Sequence, residues 1–117
     1  FRDMELRAIQ NQLKKPPHVL ATGGGAFCEP ETANLLSKNA IVVWLNASPD
    51  TLLKRIGDTT SRPILQAGPP LEILQQLHTA RARFYRKANI HLNTDGLTIT
   101  KSLATLVSTL DSYRAKQ

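Results

Sequence analysis

Three consecutive glycines, Gly23-Gly24-Gly25, follow the short apolar run His18-Val19-Leu20-Ala21-Thr22. Such a loop lets a ligand approach backbone amides closely, because glycine has no side chain in the way and accepts positive φ. A tight turn with no ligand is the other reading. Arg2 and Glu5 stand three apart near the start of a helical pattern. The carboxylate can fix the guanidinium there, and a fixed fork can take a substrate carboxylate through two parallel hydrogen bonds. A solvated ion pair would use the same spacing. Arg81, with Arg83 and Arg86 as neighbours on a basic helix, faces the same choice between an anion ligand and a surface arginine. Arg55 and Arg62 bracket the start of a Gly/Pro-rich stretch. A segment that brings an arginine over a phosphate meets the need of phosphoryl transfer for positive charge at the transferring group. A plain exposed loop is the alternative.

The elements that must position these residues alternate in type. Leu6, Ile9 and Leu13 recur at helical spacing, and Pro16-Pro17 stops the pattern, which predicts a helix over most of residues 1–14. His18–Thr22 and Ile41-Val42-Val43-Trp44-Leu45 read as strands buried on both faces, and Ile90-His91-Leu92-Asn93 as a third, ended by Asp95-Gly96. Ser48-Pro49-Asp50 supplies a cap, a first-turn proline and an acidic residue for a helix reaching about Arg55. Residues 57–70 have the irregular, lid-like composition of a surface segment. Leu71, Leu74, His78, Arg81 and Tyr85 share one face of the next helix. Ile99, Leu103, Leu106 and Leu110 mark the last helix, and the tail from Tyr113 to Gln117 is polar enough to fray. Alternating helices and apolar strands argue for an α/β layered domain with a parallel sheet.

The 117 residues fit one domain, and the formal charge of +6 favours anionic partners. Basic residues form no run of five or more, so a solvated basic surface is expected and a nucleic-acid partner is not. One cysteine, Cys28, excludes an internal disulfide and suits a reducing compartment. No apolar stretch approaches the roughly 20 residues of a membrane span, so no membrane partner is expected and a cytoplasmic location is. His18, His78 and His91 lack metal-ligand spacing, and no metal is assigned to them.

Taken in order, Phe1-Arg2 with Glu5, then Val19 to Ala26 around the triple glycine, then Val42-Val43-Trp44-Leu45, then Arg55 and Arg62-Pro63-Ile64-Leu65, then Arg81 and Tyr85, the chain resembles shikimate kinases throughout its length. The resemblance implies a three-layer P-loop kinase-like fold, a parallel sheet flanked by helices. It implies ATP and Mg2+ as cofactors and phosphorylation of the 3-hydroxyl of shikimate. Arg2 and Arg81 would clamp the shikimate carboxylate, with Glu5 orienting Arg2, and Gly24 and Gly25 would offer amides. Arg62 would be the catalytic lid arginine on the ATP phosphates, and Arg55 would lie against adenine.

The chain departs from that pattern at its start. A GxxxxGK[ST] loop cradles phosphates with backbone amides and places lysine and a hydroxyl at the γ-phosphate and magnesium. No Gly-Lys pair occurs here. The N-terminal strand and P-loop of the family are thus missing, and residues 1–117 are read as the C-terminal part of one shikimate kinase domain, inactive alone. The family's first strand lies between those matching His18–Thr22 and Ile41–Leu45, so a central gap is expected, with unsatisfied backbone groups costing about 1–3 kcal/mol each. On this reading the chain does not fold alone in the family's manner; a missing segment, a second copy of the chain or a rearranged sheet would fill the gap. The Asn93–Gly96 turn stands where the family often carries a longer loop near adenine. A gluconate-kinase-like enzyme and a non-catalytic shikimate-kinase-like module are the competing readings.

Overall fold

The computed structural model describes residues 2–58 and 63–117. Phe1 and Arg62, the expected lid arginine, lie outside the described residues, as does part of the expected lid-like segment. The chain divides into two compact units, Phe1–Val42 and Val43–Gln117.

The first unit is helical. Helix α1 spans Arg2–Leu13, with Asp3 and Glu5 in its first turn, where carboxylates offset the positive end of the helix dipole. It ends just ahead of Pro16-Pro17, as the spacing predicts. A short 3₁₀ turn, Ala26–Cys28, leads into α2, Pro30–Asn39, which begins on a proline whose missing N–H is no loss at that position. Helices α1 and α2 touch, and Ile9, Ala26, Phe27, Thr32 and Leu36 are buried.

The expected strand His18–Thr22 is not a strand. The run is irregular, and Val19 is 96% exposed, so it is not buried on both faces either. A strand exists through its ladder, and among the described residues no strand pairs with this run. His18 instead turns back toward α1, its Nδ1 at 2.8 Å from the Pro16 carbonyl oxygen and its Nε2 at 3.1 Å from Gln12 Oε1.

The second unit holds a two-stranded parallel sheet, β1 (Val43–Asn46) beside β2 (Ile90–Asn93), in the register Val43↔Ile90 to Asn46↔Asn93. Strand β1 begins two residues later than the apolar run suggests, and Leu45 is 62% exposed rather than buried. Parallel neighbours need a long crossover. It is made by α3 (Pro49–Ile56), a 3₁₀ turn at Pro63–Gln66 and α4 (Pro70–Tyr85). Ser48 caps α3 as expected, its hydroxyl accepting from Thr51 N. Gly57 ends α3 at φ +66°, a left-handed value that favours glycine. Leu65, Leu74, Ala82, Ile90 and Leu92 are buried, the large aliphatic side chains contributing about 1.5–3 kcal/mol each.

Helix α5 covers Ile99–Ala115, so the tail expected to fray stays helical almost to its end. Tyr113 is tied back by Asn89 Nδ2, which donates to its hydroxyl at 3.1 Å. Ile99, Leu103 and Val107 form an exposed apolar stripe along α5, at 90%, 59% and 50% exposure.

Candidate functional site

In the first unit the structure brings Arg2, Glu5 and the glycine loop into one region, with a change of partners. The carboxylate against Arg2 is that of Glu29, whose Oε1 lies 3.0 Å from Arg2 Nε. Glu5, expected to orient Arg2, sits against the loop: a Cβ added at Gly23 would stand 3.3 Å from Glu5 Oε2. Glu29 was missed because it is distant in sequence and reaches Arg2 only through the fold of the loop and the 3₁₀ turn.

The glycine loop does not use the left-handed region. Among the described residues the glycines at positive φ are Gly57 and Gly96, and Gly25 has φ −89°. The value of glycine at position 25 is space: nothing lies within 4 Å of where its Cβ would be. Gly24 and Gly25 are exposed, in the turn that precedes the 3₁₀ segment.

In the second unit Arg55 reaches across to the turn after β2. Its Nη1 donates to Thr94 Oγ1 at 2.9 Å and its Nη2 to the Thr94 carbonyl at 2.6 Å. Thr94 in turn donates twice to the Asn46 carbonyl, through its amide at 2.8 Å and its hydroxyl at 3.0 Å. Beside it, Asp95 Oδ1 accepts from Ser48 N at 2.9 Å. That backbone donor, the Thr51 hydroxyl and the Arg55 charge hold the Asp95 carboxyl below its ordinary value. The ends of both strands and the start of α3 are thereby tied into one knot.

Arg81 lies half-buried on α4. Around it the helix is fastened to the sheet. His78 Nε2 is 3.0 Å from Asn46 Oδ1. The Trp44 ring lies 6.3 Å from the His78 ring, 5.8 Å from that of Tyr85 and 5.3 Å from that of His91, its cross-strand partner. The spacing of His78, Arg81 and Tyr85 showed their common face; that Trp44 and Asn46 receive His78, and Trp44 also Tyr85, depends on how the helix meets the strand, which no local pattern reveals.

The sequence has no Gly-Lys pair, and no three His, Cys, Asp or Glu side chains are grouped to hold a metal ion among the described residues. No helix of the described residues is long and apolar enough to cross a membrane.

Comparison with known proteins places these residues in context. The family model for shikimate kinase matches residues 1–111. The shikimate kinase of Caulobacter vibrioides is 43% identical over 94 residues, covering 80% of this chain and 47% of that protein. That of Thermus thermophilus is 41% identical over 111 residues, covering 94% and 60% respectively. The chain therefore spans about half the length of the curated relatives it matches. Among solved structures, a shikimate kinase from Acinetobacter baumannii in complex with shikimate superposes with a TM-score of 0.83 at 29% identity, over 97% of this chain and 64% of that one. The shikimate kinase of Bacteroides thetaiotaomicron gives 0.82 at 28% identity. Its α/β architecture, with a parallel sheet and crossover helices, agrees with these neighbours, and the chain belongs to the shikimate kinase family.

Proposed function

We propose that this chain supplies the substrate-recognising part of a shikimate kinase, an enzyme that moves the γ-phosphoryl group of ATP to the 3-hydroxyl of shikimate. The observation that carries the reading is the family match over residues 1–111 together with the arginines retained at positions 2 and 81. A carboxylate is best held by guanidinium forks, and both arginines sit on helices whose rigid backbone can aim them. Arg2 is braced by Glu29, which limits the side-chain freedom it loses on meeting an anion, and Arg81 lies half-buried on α4. The open space at Gly25 lets a ring hydroxyl approach the loop amides.

On this reading residues 1–117 are the C-terminal part of a single catalytic domain that works in the cytoplasm, with shikimate and ATP as its small-molecule partners and neither nucleic acid nor membrane among them. Arg62 acts as the lid arginine, and Arg55, held flat by Thr94, lies against the adenine. ATP phosphates and Mg2+ are handled by residues outside this chain, supplied by a further segment or a second polypeptide that also fills the sheet beside β1. A non-catalytic shikimate-kinase-like module that binds a metabolite is the second reading.

Titration of the gene product carrying this chain with shikimate, followed by an ATP-dependent phosphorylation assay, separates these readings. Saturable shikimate binding with turnover supports the kinase, and binding without turnover supports the module. Absence of binding, or equal use of gluconate, overturns both.

A further inference from the structure

Arg55 is an exposed residue of α3, yet both ends of its guanidinium are held by one buried residue, Thr94, which is 7% exposed. Nη1 donates to the Thr94 hydroxyl at 2.9 Å and Nη2 to the Thr94 carbonyl at 2.6 Å. The N–H bonds of a guanidinium lie in its own plane, and a hydrogen bond weakens steeply off axis. Two acceptors met by the two terminal nitrogens therefore set the tilt of that plane. Thr94 is fixed in turn from the sheet side, its amide and its hydroxyl both donating to the Asn46 carbonyl, at 2.8 Å and 3.0 Å. Because the hydroxyl proton is committed to Asn46, Oγ1 presents a lone pair to Arg55, and the strand end decides where that lone pair points. The edge between the terminal nitrogens, which could take a carboxylate or phosphate as a fork, is thus occupied. The two faces of the guanidinium carry no N–H and are untouched by these bonds. Such faces stack on flat conjugated rings, and a plane fixed beforehand loses less freedom when the ring arrives.

We propose that Thr94 is a positioning residue for Arg55: by accepting from both terminal nitrogens it sets the plane of the guanidinium, so that Arg55 meets a heteroaromatic ring with its face and does not serve as a fork for an anion. The role rests on the reading of Arg55 as the residue that lies against the adenine. Thr94 acts through Arg55 and takes no part in the reaction itself. Its contribution is to the base of the nucleotide and not to the phosphates, which separates it from a general role in holding α3 to the sheet.

The test measures binding of ATP and of inorganic tripolyphosphate, which has the phosphates and no base, to the gene product carrying this chain. Calorimetry compares wild type with Thr94→Val, Thr94→Ser, Ser48→Ala and Arg55→Ala. The expected result is a loss of ATP affinity of about fivefold in Thr94→Val, the scale of a cation–π contact at a partly exposed site. Tripolyphosphate affinity should move less than about twofold, because the variant changes no charge. Thr94→Ser keeps the hydroxyl and should bind ATP within about twofold of wild type. Ser48→Ala removes the cap of the same helix and leaves Arg55 facing Thr94, so it reports loosening alone and should bind ATP within about twofold as well. Equal losses for ATP and tripolyphosphate in Thr94→Val overturn the proposal, as does a Ser48→Ala protein that loses ATP as far as Thr94→Val does. Failure of serine to restore binding also overturns it. If wild type binds no ATP, or Arg55→Ala binds it as wild type does, the underlying reading of Arg55 fails and the role of Thr94 falls with it. If Arg55→Ala weakens ATP binding while Thr94→Val does not, only the positioning role is lost.

Discussion

Arg55 holds Thr94 twice, one terminal nitrogen on the hydroxyl at 2.9 Å and the other on the carbonyl at 2.6 Å. Because Thr94 also donates to the Asn46 carbonyl, one guanidinium ties α3 to the ends of both strands. Thr94→Val keeps the shape and removes the hydroxyl. It is expected to destabilise the protein by about 1.5–3 kcal/mol, the scale of a hydrogen bond to a charged group, with Thr94→Ser close to wild type. Urea unfolding of the three proteins measures this, and equal midpoints for valine and serine would remove the hydroxyl from the account.

The neighbouring Asp95 gives this knot an acid limit. Its carboxyl is held below the ordinary 3.8, first by the Ser48 amide, then by the Thr51 hydroxyl and more weakly by Arg55. A folded value below the unfolded one means that the stabilisation is complete above the unfolded value and is lost as pH falls through the folded one. Asp95→Asn should therefore lower the melting temperature at neutral pH and converge with wild type as pH falls through the lowered folded value. Parallel melting curves for the two proteins from neutral to acid pH test the sign, and a gap that widens with acid would reverse it.

Helix α3 depends on its cap. Ser48 Oγ accepts from Thr51 N, while Asp95 Oδ1 takes the Ser48 amide itself. Ser48→Ala should cost about 1 kcal/mol, and Ser48→Asp should retain most of it. Chemical denaturation distinguishes the pair.

The glycine loop separates stability from recognition. Alanine at position 25 meets nothing within 4 Å and needs no unusual backbone, so Gly25→Ala should unfold within about 0.5 kcal/mol of wild type. A Cβ at that point would nonetheless stand in the space where a ring hydroxyl would approach, so shikimate affinity should fall by about tenfold or more. Gly23→Ala instead presses on Glu5 Oε2 and should cost stability unless that side chain swings away. Calorimetric titration and denaturation of both variants check the contrast.

Helix ends and the position of β2 were legible because their signals are local: paired prolines after α1, the Ser48-Pro49-Asp50 start of α3, and the Ile90–Asn93 run. The misreading of His18–Thr22 has a different origin. Apolar composition says that a segment could pair, whereas pairing needs a neighbour, and none of the described strands supplies one. The site followed the same division. Arg2 and Arg81 stood out by residue type and spacing, but the carboxylate beside Arg2 came from Glu29 and the contacts around Arg81 from β1, both fixed by chain reversals far from the residues they serve. The tail of α5 is helical to Ala115, and the long-range hydrogen bond from Asn89 to Tyr113 that meets it there has no local signal in the sequence.

Strand β1 has β2 on one side and, among the described residues, no strand on the other. A row of open backbone donors and acceptors on a segment containing Val43, Trp44 and Leu45 is a template for any extended chain that drifts past. Concentrated preparations of residues 1–117 would recruit their own copies along that edge and precipitate. A lysine at Leu45, whose side chain is already exposed, would act as a gatekeeper and keep the chains apart.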